Sequence, residues 1–106
     1  MTILLHTNAL TRRGDSVTVM SYAKALHTYY NFECIIVYDI KNANNDDVVI
    51  SLMRKEFNLF GYQNFQELEQ FVLNKNASII YWLKNGHYDD KLIKTCKNVI
   101  HVVISI

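Results

Sequence analysis

The sequence contains no proline, three glycines and two cysteines among its 106 residues. Cys34 and Cys96 lack the Cys-x-x-Cys spacing of zinc sites, and two thiols make a poor disulfide scaffold. We therefore expect both thiols to be reduced and largely buried. The four histidines show no His-x-x-x-His or His-x-His spacing either, so the sequence predicts no metal site. No cofactor is predicted.

Excess charge of either sign is also absent, since eleven basic side chains oppose ten acidic ones. Nucleic-acid binders usually carry a basic face, so this balance argues against a nucleic-acid partner. No apolar run approaches the roughly 20 residues that cross a bilayer. The first residues lack the basic start of a secretory signal. We expect a soluble, cytoplasmic protein without a membrane span.

What the sequence does contain is a regular alternation of apolar runs and amphipathic stretches. The apolar runs predict buried strands over 2–6, 33–38, 58–62, 78–83 and 98–106. Apolar residues at three- and four-residue spacing predict helices over 16–30, 47–56, 65–75 and, for one or two turns, 90–96. Asp15 or Ser16 is expected to cap the first helix and Asn64 the third.

Strands that alternate with helices predict a parallel sheet with right-handed crossovers. The fold class is therefore α/β, a single Rossmann-like domain that fills residues 1–106. We expect a five-stranded parallel sheet in the order 3-2-1-4-5, with helices on both faces. Its radius of gyration should be about 13 Å.

Ligands of such sheets bind beyond the carboxyl ends of the strands, where the strand order reverses, here between the first and fourth strands. The loop 7–16 follows the first strand. Gly14 there permits close backbone approach, and the N–H groups that start the next helix suit an anion. Arg12 and Arg13 can hold a phosphate or carboxylate. No GxGxxG or Walker motif is present, so an ordinary surface loop is the alternative.

The loop 84–90 follows the fourth strand and gathers a cation, a histidine and two carboxylates. Such groups can bind sugar hydroxyls or supply a general base. The residues are Lys84, Gly86, His87, Asp89 and Asp90. The alternative is a turn around Gly86 in which an aspartate caps the next helix.

Three histidines lie within predicted elements. His6 and His101 fall on the first and fifth strands, where each either faces the cleft or is a hydrogen-bonded core or edge side chain. His27 is expected on an exposed flank of the first helix.

Two stretches of the sequence resemble GT-B glycosyltransferases of the kind found in giant viruses and some bacteria. The stretch ILLHTNALTRRGDSVTVMSYAKAL resembles their opening, with a strand, His-Thr-Asn, Arg-Gly and a helix bearing Tyr-Ala. The stretch IIYWLKNGHYDDKLIKTCKNVIHVV is similar to a second region, where Lys-x-Gly follows strand four and Cys-Lys-x-x-x-His-x-Val opens strand five. Together the two stretches indicate the amino-terminal, acceptor-side domain of such an enzyme.

The resemblance implies transfer of a sugar from a nucleotide-activated donor to an acceptor, across a cleft between two Rossmann-like domains and without a metal. It implies as partners a sugar acceptor, a nucleotide sugar, and either a missing carboxy-terminal donor domain or a second copy. Without a donor domain we expect no turnover. The residues that would border the cleft by position are Asn8, Arg13 and Gly14 on one side and Lys84, Gly86 and His101 on the acceptor side.

Two further interpretations compete with the glycosyltransferase half. The apolar stretch 101–106 predicts a sticky edge strand, which favours a non-catalytic interaction module that dimerises through that strand. A receiver-like signalling domain requires an acidic pair where His6 and Thr7 stand. The glycosyltransferase interpretation predicts that Arg13→Ala and Lys84→Ala weaken binding of an anionic sugar ligand at unchanged melting temperature. It also requires the turns after the first and fourth strands to lie side by side.

Overall fold

A computed structural model describes residues 1–85 and 91–103. The strands in this part of the chain are β1 (Thr2–Thr7), β2 (Glu33–Asp39), β3 (Asn58–Tyr62), β4 (Ile79–Asn85) and β5 (Lys97–Val103). The helices are α1 (Gly14–Tyr30), α2 (Asp47–Arg54) and α3 (Phe65–Asn74). Among these residues no helix has the length and apolar character needed to cross a bilayer.

The five strands form one sheet in the order β3-β2-β1-β4-β5, and every neighbouring pair is parallel. This confirms the predicted α/β fold class and strand order. The Cα radius of gyration is 12.9 Å, in agreement with the size expected for one compact unit. Parallel strands need a crossover connection, and after each of the first three strands that connection contains a helix.

Both faces of the sheet carry an apolar core, and successive residues of a strand alternate between them. On one face, the α1 face, Ile3 and Leu5 of β1 pack in a cluster with residues of α1 and α2. On the other, the α3 face, Leu4 packs in a cluster with residues of α3. This double burial explains why the strands appear in the sequence as continuous apolar runs rather than as alternating ones.

Helix starts differ in how their first N–H groups are satisfied. Asn64 caps α3 as predicted, since its side-chain oxygen accepts a hydrogen bond from the Glu67 amide at 2.9 Å. The prediction for α1 was wrong, because Arg13 occupies the N-cap position and makes no side-chain cap. Ser16 instead lies buried in the first turn, where its hydroxyl bonds to the preceding loop.

The prediction of a helix over 90–96 was wrong for the part of it that the structure describes. Residues 91–96 are not helical, and Asp90 lies outside the described residues. Asn98 explains the difference, because its side chain takes over backbone groups that a helix would use. Its amide donates to the carbonyl oxygens of Ile93 at 2.7 Å and Cys96 at 3.2 Å, and its oxygen accepts from the Ile93 amide at 3.0 Å. Ile93 is thereby held in the core of the α3 face.

Candidate functional site

The carboxyl ends of β1 and β4 are neighbours in the sheet, at the point where the strand order reverses. The two strands pair in parallel, with His6 opposite Trp82. The loop after β1 and the end of β4 therefore leave the sheet at the same edge, as the proposed cleft requires. A crevice bordered by Gly14 and Lys84 stays a prediction, because Gly86 and His87 lie outside the described residues.

The loop between β1 and α1 is braced from two sides. Asn45 contacts it from the loop after β2, where its side-chain oxygen accepts from the Leu10 amide at 2.9 Å and its amide donates to the Asp39 carbonyl at 2.8 Å. From α1, the Ser16 hydroxyl accepts from the Thr11 amide at 2.9 Å. The loops after β1 and β2 thus hold each other at the carboxyl edge of the sheet.

The predicted ligand-binding residues of this loop are exposed at the same edge. Asn8, Arg12, Arg13 and Gly14 all lie at the surface. The Arg12 guanidinium pairs with the Asp46 carboxylate at 3.7 Å, so this arginine is partly engaged with the next loop. Since no side chain caps α1, an anion can approach the first N–H groups of that helix beside Arg13.

Lys84, predicted as a cleft cation, is a buried one, with only 8% of its surface exposed. Its ammonium group lies 5.2 Å from the centroid of the Trp82 ring and donates to the Lys91 carbonyl oxygen at 3.3 Å. A cation over an aromatic face is attracted by the ring's electrons, which offsets part of the cost of its burial. Because of this packing we expect truncation of Lys84 to lower stability, in contrast to the sequence-based expectation.

Lys84 is one of four buried side chains that lie in a row across the α3 face. No local pattern in the sequence groups these four residues. His6 Nε2 and the Tyr62 hydroxyl share a hydrogen bond of 2.6 Å, and the His6 ring centroid lies 4.5 Å from that of Trp82. We call Tyr62, His6, Trp82 and Lys84 the carboxyl-edge row. All four are buried. The row joins the ends of β3, β1 and β4 with hydrogen-bonding groups, which suits it to support a polar ligand held above it.

His101 lies away from this row, on the α1 face. It pairs with Leu83 in the sheet, so its side chain stands opposite to that of Lys84. Its Nδ1 shares a hydrogen bond of 2.5 Å with the Tyr81 hydroxyl. Burial, and next the neighbouring Tyr22, raises the pKa of Tyr81 to about 12. The structure therefore separates His101 and Lys84, two predicted site residues, by the thickness of the sheet.

The remaining titratable candidates lie away from the carboxyl edge of the sheet. His27 is exposed on α1, as expected, and is near the opposite end of the sheet. Cys34 and Cys96 are free thiols, as predicted, but half-buried rather than largely buried. Burial raises the pKa of both thiols, which keeps them protonated at neutral pH. In the described part of the chain, no three His, Cys, Asp or Glu side chains form a metal-ligand cluster.

No known protein family, no curated protein and no solved structure matches this chain.

Proposed function

We propose that this chain is the acceptor-binding half of a GT-B-type glycosyltransferase, with the acceptor held at the carboxyl edge between the loop after β1 and the end of β4. The observation that carries the proposal is the adjacency of β1 and β4 at the reversal of the strand order. That adjacency brings the two resembling stretches to one edge. In this fold type a facing domain binds the nucleotide sugar, so the proposal assigns donor binding to residues outside this domain.

The proposed roles follow from the chemistry of the edge. Arg13 and the first turn of α1 offer hydrogen-bond donors to a phosphate or carboxylate. Lys84, held over Trp82, supplies a fixed positive charge beneath the site. His6 and Tyr62 support the floor, and a histidine paired with a phenol can also relay a proton to or from a sugar hydroxyl.

The test is isothermal titration calorimetry of the purified chain with a panel of nucleotide sugars and sugar acceptors. We expect Arg13→Ala to weaken binding roughly tenfold to a hundredfold, since one charge-assisted hydrogen bond contributes about 1.5–3 kcal/mol. Lys84→Met should weaken binding too, while its apolar stem retains part of the packing on Trp82. Lys55→Ala is the matched control, because Lys55 is an exposed cation at the end of α2, away from the carboxyl edge.

Two results would contradict the proposal. One is the absence of binding by every member of the panel, both alone and with a candidate donor domain. The other is an equal effect of Lys55→Ala and Arg13→Ala, which would indicate general charge attraction rather than a site.

A second candidate function is a homodimeric interaction module, and the exposure of β5 favours it. Among the described residues β5 pairs only with β4, and Ile100 and Val102 are 48% and 55% exposed on one face. On the other face an apolar groove of about 310 Å³ runs between α1 and β5, with Tyr81 and Val99 in its lining. Light scattering at micromolar concentration tests this function. A dimer that Val102→Lys dissociates supports it, and a strictly monomeric chain refutes it.

A further inference from the structure

On the α1 face, helices cover only half of the sheet in the described part of the chain. Helix α1 contacts β1 and β2, and α2 contacts β3. No described helix covers β4 and β5 on this face, although sheets made only of parallel strands normally carry helices on both faces. The apolar groove of about 310 Å³ between α1 and β5 lies at this place, and we call it the α1-face groove.

The floor of the α1-face groove is made by strand residues and is apolar. It includes Ile3 and Leu5 of β1, Ile79 of β4 and Val99 of β5. All four side chains are aliphatic, so the floor favours contact with an apolar surface and gains free energy when water is removed from it.

The shape of the groove fits an α-helix. Helix α1 lies over β1 and β2, and adjacent strands of a sheet are about 4.8 Å apart, so the line between β4 and β5 is about 10 Å from the axis of α1 along the sheet. Packed helices keep their axes about 8–10 Å apart. A helix laid beside α1 at this distance therefore comes to lie directly over β4 and β5.

The wall that α1 contributes to the groove is a stripe suited to helix packing. Its residues follow the spacing i, i+3, i+4 and i+7, namely Tyr22, Ala25, Leu26 and Tyr29. The first three line the groove. Tyr22 and Tyr29 are 39% and 80% exposed, and the small side chain of Ala25 between them leaves space for a side chain of a neighbouring helix. Helices that bind in grooves use anchors at this same spacing.

The opposite rim of the groove, on β5, is basic. Lys97 pairs with Ile79 in the sheet, which places its side chain on the α1 face together with Val99 and His101. Lys97 is exposed and forms no ion pair with any described residue. His101 is held at this rim by its hydrogen bond to the Tyr81 hydroxyl. No described Asp or Glu lines the groove, so carboxylates on the bound surface complement this rim.

We propose that the α1-face groove is the docking site for an acidic amphipathic α-helix of a partner protein. The apolar stripe of that helix would lie on the floor and insert a side chain beside Ala25, with its carboxylates toward Lys97. The proposal does not depend on the acceptor site, because the carboxyl-edge row, which includes Tyr62 and Trp82, lies on the α3 face.

Three synthetic peptides that differ only in charge test the proposal. Each has roughly 15 residues, because a helix of that length matches the span of a seven-residue strand such as β4. All three carry the same leucine stripe and a staple on the outer face that keeps them helical, and their flanking positions are Glu, Gln or Lys. Fluorescence anisotropy with the intact chain should give a dissociation constant on the order of 10 µM for the Glu peptide, weaker binding of the Gln peptide and the weakest of the Lys peptide.

Ala25→Arg tests whether the peptide lies in the groove. The arginine side chain would fill the space beside α1, so binding of the Glu peptide should weaken roughly tenfold or more, although a positive charge has been added. Ser21→Arg is the matched control, because it adds the same charge at an exposed position of α1 that does not line the groove. It should not weaken binding.

Lys97→Gln tests the charge of the rim and changes only an exposed side chain, so it remains informative if Ala25→Arg does not fold. It should weaken binding of the Glu peptide roughly twofold to fivefold and leave binding of the Gln peptide unchanged. Lys94→Gln is the control, since Lys94 is exposed next to Ile93, which packs on the α3 face. It should change neither value.

The proposal is overturned if no peptide binds up to about 200 µM, if the Gln or Lys peptide binds as tightly as the Glu peptide, or if Ser21→Arg weakens binding as much as Ala25→Arg. It is also overturned if light scattering shows a dimer that Ala25→Arg dissociates, since a second copy would then cover the groove. None of these outcomes bears on the acceptor site, since no sugar ligand is used.

Discussion

Removal of the Asn98 side chain should show how the segment before β5 is held against the sheet. The side-chain oxygen of Asn98 accepts from the Trp82 indole N–H at 2.9 Å and from the Ile93 amide at 3.0 Å. Its amide donates to the carbonyl oxygens of Ile93 and Cys96. Asn98→Ala removes all four hydrogen bonds at once.

The expected loss follows from which partners stay buried. Trp82 is 2% and Ile93 1% exposed, so the indole N–H and the Ile93 amide would lose their partner in places where solvent has little access. An unsatisfied buried donor costs about 1–3 kcal/mol. The indole N–H and the Ile93 amide are two such donors, so Asn98→Ala should lower the free energy of unfolding by about 2–6 kcal/mol. That is a large share of the roughly 5–15 kcal/mol typical of a domain.

Urea unfolding followed by fluorescence provides the assay, since Trp82 is the only tryptophan and lies beside the substituted group. Asn98→Asp keeps one acceptor but turns a second carboxylate oxygen toward the carbonyl oxygens of Ile93 and Cys96, so at neutral pH its loss should be at least as large as that of Asn98→Ala. A loss below about 0.5 kcal/mol for Asn98→Ala, the level of an ordinary surface change, would refute the argument. So would an Asn98→Asp variant as stable as the unchanged chain.

Two further predictions concern packing and pH. A Cβ added at Gly61 would lie 3.0 Å from the Tyr38 ring, so Gly61→Ala should cost about 1–3 kcal/mol in chemical unfolding. The control is Gly14→Ala, where a Cβ meets no atom within 4 Å and stability should stay within about 0.5 kcal/mol. Tyr81 has a pKa raised from 10.0 to about 12, by burial and then by Tyr22, so the fold favours its neutral form. That contribution is complete below pH 10 and is lost between pH 10 and 12, so the free energy of unfolding should fall over this range, and less so in Tyr81→Phe.

The strands could be predicted because β1, β2 and β4, in the middle of the sheet, are largely buried on both faces and therefore form unbroken apolar runs. The least regular of the predicted strands, Asn58–Tyr62, was predicted with its observed bounds. Helix α1 was placed two residues late, since a serine near a helix start is usually its cap. In this chain the Ser16 hydroxyl accepts from the Thr11 amide and donates to the Ala9 carbonyl oxygen. It therefore satisfies groups of the preceding loop and not the first N–H groups of the helix.

The carboxyl-edge row could not be predicted from local patterns. His6 and Tyr62 are 56 residues apart, and their strands are separated in the sheet by β2. The contact forms only because Tyr62 ends β3 on the same face as His6 and spans the intervening strand. Nothing in the sequence around Tyr62 indicated a functional role, since a tyrosine at the end of an apolar run is an ordinary core residue. The strand order and the alternation of faces were the two facts that could have suggested it.

The two sides of the proposed acceptor edge differ in how they are fixed, and this difference bears on binding. The loop after β1 is held by backbone hydrogen bonds to Asn45 and Ser16, so its donors are positioned before a ligand arrives. Lys84 is positioned by burial over Trp82, and Trp82 in turn is held by Asn98. The entropic cost of ordering the two sides when a ligand binds between them is therefore small. It follows that Asn98→Ala should weaken ligand binding as well as stability, although Asn98 lies outside the proposed site and touches it only through Trp82.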